Sequence, residues 1–191
     1  MPKTILIPGK ELWSEKENRF YTVPSQEIQI EHSLLSLSKW ESKWHKPFFG
    51  NPKRIKEHEK TGEQLLDYIR CMTITKNVDP KIYYNLTQDN INEINAYIND
   101  PMTATTFADD PNKPKKVDGS YQTAEIIYYE MFKLNIPLDF EKRHLNHLLA
   151  LIRVAAEKEE QANNPKKMSK SAWANKQRAL HEARRKSHMP R

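Results

Sequence analysis

The pattern of apolar and polar residues changes period near residue 33. Before that point it alternates by two. Thr4 to Ile7 is apolar and runs into Pro8-Gly9, a turn pair. Phe20 to Val23 is aromatic and β-branched and stops at Pro24. In "EIQIEH", Glu27 to His32, strict alternation puts Ile28 and Ile30 on one face. These segments predict short strands, with Glu11 to Trp13 pairing with Thr4 to Ile7, in a small antiparallel β meander over residues 1–32. So few short strands are not stable alone in water, so the sheet is expected to pack on the segments that follow.

From Ser33 onward the period is three to four, and short helices are predicted. Ser33 is a good N-cap, and Leu34, Leu37, Trp40 and Trp44 form one stripe that Pro47 ends. That spacing marks the two tryptophans as core rather than as a stacking surface. Residues 50–60 are a charged linker. Thr61 opens a helix with Leu65, Leu66, Ile69 and Met72 as its apolar positions, and Asp79-Pro80 opens a short turn. Thr87 caps a helix striped by Ile91, Ile94 and Ile98, and residues 108–119 are an exposed loop. Thr123 caps a helix that is apolar around much of its circumference, which predicts a central helix with more than one packed face. A further helix from Phe140 carries Leu145, Leu148, Leu149, Ile152 and Ala156 on one face. The apolar content disappears at residues 157–164, and Pro165 closes the body. Ser169 then caps a weak amphipathic helix. Trp173, Leu180 and Ala183 face one way, with Arg178, Arg184, Arg185 and Lys186 mostly opposed. The fold class expected is mainly α with a small N-terminal antiparallel β meander: strands in 1–32, a helical body in 33–164 and a basic tail in 165–191.

Charge changes this picture. The net charge is +6, but nine Lys or Arg residues and a single acid, Glu182, fall between Lys166 and Arg191. The rest of the chain holds 22 basic and 24 acidic residues and is close to neutral. A basic segment on a near-neutral body suggests an acidic partner, whether nucleic acid, an acidic protein surface or another copy of the chain. The single cysteine, Cys71, cannot form an internal disulfide and fits a reducing compartment. No apolar run approaches the roughly 20 residues of a membrane span, and no secretion signal is read at the N-terminus.

Candidate chemistry adds little. His144 and His147 lie three apart with Glu141 one turn earlier, a spacing zinc can use, but nothing nearby supplies further ligands. Cys71 sits in an apolar helix and reads as a small buried hydrophobe. "LIPGKE" lacks the first glycine of a phosphate loop. No catalytic, cofactor or metal residue is assigned, and an enzyme is not the expected class. The basic tail can contact phosphates in a salt-sensitive way, with Trp173 adding stacking.

Five stretches carry a resemblance: "EHSLLSLSKWESKWHKPFF", "LLDYIRCMTITKNVDPKIYYNLT", "INAYINDPMTATTF", "TAEIIYYEMFKLNIPLDFEKRHLNHLLALIRV" and "PKKMSKSAWANKQRALHEARRK". Together, from about His32 to Lys186, they resemble a family encoded among the tail genes of tailed bacteriophages and prophages of mainly Gram-positive hosts. Its members are often described as tail assembly chaperones. The resemblance implies a non-enzymatic helper in the bacterial cytoplasm that coats the tape-measure protein while major tail protein subunits polymerise round it. It implies no cofactor and no catalytic residue. A helper of this kind needs exposed docking faces and a self-association surface. The candidate partner-binding residues are Trp173, Arg178, Leu180, Arg184, Arg185 and Lys186. Two other readings stay open: a structural virion component such as a head-tail or tail-tube adaptor, and a nucleic-acid-binding protein using its basic tail.

Overall fold

A computed structural model describes residues 2–49, 59–107, 122–163 and 170–187. The chain is mainly helical with a small antiparallel sheet at its N-terminus, as the pattern predicts. Strand β1 (Lys3–Ile7) pairs with β4 (Gln26–Ile30), and β2 (Lys10–Ser14) pairs with β3 (Arg19–Val23). Glu11 to Trp13 therefore faces Phe20 to Thr22, not Thr4 to Ile7 as expected. The physical reason is register. Lys3 opposes Ile30, Ile7 opposes Gln26, and Lys10 opposes Val23, so one register runs through both pairs. The strands form one long ribbon, interrupted where Pro8-Gly9 lies across from Pro24-Ser25. Two prolines cannot donate to a ladder. Gly9 is also required there, because a Cβ would lie 2.7 Å from the Ser25 nitrogen and 2.9 Å from the Val23 carbonyl oxygen.

The proximal half of the ribbon is closed at both edges. Asn90 Nδ2 donates to the Leu6 carbonyl at 3.0 Å and Asn85 Nδ2 to that of Pro8 at 3.3 Å. On the other side, Ile74 N–H donates to the Gln29 carbonyl and Glu31 N–H to that of Met72, both at 2.9 Å. Covering both edges leaves no template there for aggregation.

The helices are α1 (Leu34–Trp44), α2 (Gly62–Met72), α3 (Gln88–Asn99), α4 (Ala124–Lys133), α5 (Leu145–Asn163) and α6 (Lys170–Ser187), with short 3-10 turns at Ile82–Asn85 and Leu138–Lys142. Ser33, Thr61 and Thr87 cap α1, α2 and α3 through reciprocal capping boxes with Ser36, Gln64 and Asn90. Among the described residues, no helix is long and apolar enough to cross a membrane.

Two apolar cores share α1. The first joins Ile5, Ile7, Ile28 and Ile30 of the ribbon to Trp40, Tyr68, Met72 and Ile94. The second joins Leu34 and Leu37 to Ile127 and Met131 of α4 and to Leu145 and Leu148 of α5. The stripe expected on α1 is therefore split across two cores. Trp40 is fully buried and donates Nε1–H to the Gln64 carbonyl at 2.8 Å. Trp44 is half-buried at the edge of the first core and donates to Asp67 Oδ2 at 2.9 Å. Both tryptophans tie α1 to α2.

Other expectations are corrected. Leu65 is exposed, and Tyr68 fills the position expected of it on α2. The helix expected from Phe140 begins only at Leu145. Arg143 is extended, and Leu145 N–H reaches across to the His32 carbonyl at 2.7 Å. Thr123 stands before α4 but makes no side-chain cap bond. The carboxylate of Glu41 replaces it, accepting from Ala124 N–H and Phe48 N–H, both at 2.7 Å. The linker at 50–60 lies largely, and the loop at 108–119 and the Ser169 cap wholly, outside the described residues.

Candidate interaction surfaces

The residues singled out on the last helix share α6, and Arg184 is the one basic position among them that departs from the expected opposition of faces. Leu180 and Arg184 line one cleft with Gln177 and His181, against Ala104, Thr105 and Thr106. At 3.6 residues per turn, positions seven and eleven beyond Trp173 return to its side of the helix, so Arg184 shares the side of Trp173 and Leu180. Arg178 and Arg185 are exposed, and the side chain of Lys186 lies outside the described residues. Trp173 is 56% exposed, and among the described residues neither apolar core contains one of α6. Helix α6 is thus an amphipathic, strongly basic element whose described residues add to neither core.

Helix α4 differs from the sequence expectation. It is not a central helix with several packed faces. Ala124, Ile127 and Met131 point into the second core. The opposite side shows Ile126, Tyr129 and Phe132 to solvent, at 42%, 63% and 61% exposure. These positions repeat every three residues and form one stripe. Tyr128 lies between the two sides. Its hydroxyl donates to Glu141 Oε2 at 2.7 Å, and its ring stacks on Phe132. The signal was in the sequence as apolarity all round the helix; what it lacked was any indication of how many neighbours the helix has.

A third apolar group stands at the distal end of the ribbon. Trp13 and Phe20 face each other across β2 and β3 with ring centroids 4.9 Å apart, and both are exposed. Their neighbours Tyr21 and Val23 turn the other way, toward the body.

The histidines serve the interior instead. His32 and His144 are buried with their rings 5.2 Å apart, where the end of β4 meets the start of α5. Burial holds the Tyr68 phenol far above its ordinary range, so it stays protonated, and its hydroxyl is hydrogen-bonded to His32 Nδ1 at 2.6 Å. His144 Nδ1 accepts from Asn146 N–H, which leaves Nε2–H to donate to the Tyr97 carbonyl at 3.1 Å. Tyr97 in turn donates its hydroxyl to buried Glu31 at 2.6 Å. Burial, reinforced by His144, pushes the pKa of His32 down to about 4, and burial lowers that of His144. The pair is therefore neutral at physiological pH. His147 is exposed and Glu141 is engaged by Tyr128, so this trio does not converge. Among the described residues, no group of three or more His, Cys, Asp or Glu is placed to hold a metal ion. Cys71 is half-buried against the first core, and burial pushes its thiol pKa up, away from nucleophile character.

No protein-family model, no curated protein and no solved structure matches the chain.

Proposed function

We propose that the chain is a non-enzymatic phage tail assembly chaperone that holds the tape-measure protein through its C-terminal helix. The reading starts from the resemblance between His32 and Lys186, and one structural observation carries it to a surface. Among the described residues, α6 contributes to neither core, and it presents exposed Trp173 one turn from exposed Lys176, with Arg178 and Arg185 exposed on other sides of the helix. A large aromatic beside positive charge suits a helical client with apolar patches and acidic flanks. Because no described residue of α6 belongs to either core, α6 can engage a client without unfolding the body.

The test is co-expression with a phage tape-measure protein. Deletion of residues 166–191 should abolish co-purification while leaving the far-ultraviolet spectrum of the body intact. The paired substitution Trp173→Ser and Arg178→Glu in the full chain should reduce recovery of the client several-fold. Undiminished recovery in both variants would rule out α6 as the docking element.

A further inference from the structure

The outer stripe of α4 has an uncommon arrangement of charge. Tyr129 is its centre. Ile126 and Phe132 lie three residues to either side, and Glu125 and Lys133 lie four residues to either side. Both charged residues are exposed. The helical positions 125, 126, 129, 132 and 133 share one side of the helix, because each step of three or four residues returns near the same direction. The stripe is thus a palindrome in shape and an antisymmetric pattern in charge.

We infer that this face binds the same face of a second copy of the chain, with the two α4 helices antiparallel about Tyr129. In that arrangement Ile126 of each copy meets Phe132 of the other. Glu125 of each copy meets Lys133 of the other, giving two intermolecular ion pairs. A parallel arrangement would set Glu125 against Glu125 and Lys133 against Lys133, so the charges select the antiparallel dimer. The contact is isologous, closes on itself and does not propagate into a fibre. Within its own helix Lys133 has only a loose contact with Glu130, at 3.8 Å, which a partner carboxylate can displace. A ten-residue helix is about 15 Å long. The face is small for a stable interface, so the dimer should be weak and concentration-dependent. The inference does not depend on the role given to α6.

The test is sedimentation of the full chain at low salt from about 10 µM to about 1 mM. The wild-type protein should pass from monomer to dimer across that range. Lys133→Glu should weaken the dimer by about tenfold, since two attractions become repulsions. The double variant Glu125→Lys, Lys133→Glu should restore association to within a few-fold of wild type. This rescue separates pairing between copies from any effect inside the helix. Glu125 in the first turn and Lys133 in the last both favour the helix dipole, so exchanging them harms the isolated helix twice. A wild-type chain that stays monomeric throughout would overturn the inference. A double variant no better than the single one would overturn it as well.

Discussion

Helices α1 and α4 begin from similar material and end differently. Each carries more apolar surface than a single neighbour covers. On α1 the whole stripe is occupied, with Leu34 and Leu37 in one core and Trp40 in the other. On α4 one side is occupied by Ile127 and Met131, while Ile126, Tyr129 and Phe132 stay in solvent. The difference is position. Helix α1 lies between the ribbon with α2 and α3 on one side and α4 with α5 on the other, whereas α4 is an outer element. Apolarity around a helix therefore counts the faces that need a partner, and only the number of neighbours inside the chain decides how many are left for association.

The largest effect should come from the occupied helix. Trp40→Ala removes a fully buried ring and the hydrogen bond to Gln64 that joins α1 to α2. It should cost about 3–5 kcal/mol of stability in chemical denaturation. A cost as small as that of a surface substitution would remove the contrast with α4.

The next effect tests the joint where the end of β4 and the start of α1 meet the start of α5. The folded pKa of His32 is held near 4, below its ordinary 6.5, by burial and by His144. The unfolded chain therefore takes up a proton that the folded chain refuses. The contribution of His32 is complete above pH 6.5 and is lost as pH falls from there to about 4. One such group corresponds to about 3 kcal/mol across that window, and His144 acts in the same direction. Denaturation midpoints measured between pH 7 and pH 4 should fall steeply, and His32→Gln should flatten the slope. An unchanged slope in that variant would locate the acid sensitivity elsewhere.

Much of this architecture is legible in the sequence. Ser33, Thr61 and Thr87 announce their helices because a capping box is a local device, complete within four residues. Ile28 and Ile30 announce a strand by alternation. Long-range polar choices are not legible. Nothing adjacent to Glu41 says that it will cap α4 some eighty residues later, and nothing near Tyr68 says that it will meet His32. The nested ribbon is not legible, because Pro8-Gly9 is equally good as a tight turn and as a break in one long strand. The face of α4 is visible as composition, which does not distinguish a packed surface from an exposed one. On α6 the basic side chains and Trp173 were legible, while the placement of Arg184 beside Leu180 follows from helical geometry that the charge pattern obscured.

The most direct measurement compares stability and association in one variant of α4. Replacing Ile126, Tyr129 and Phe132 together with serine should leave the unfolding free energy within about 1 kcal/mol of wild type, because exposed side chains contribute little to the fold. The same variant should remain monomeric at concentrations where the wild-type chain dimerises. Loss of the fold would show that the outer face belongs to the core, and unaltered dimerisation would show that this surplus apolar surface does not serve association.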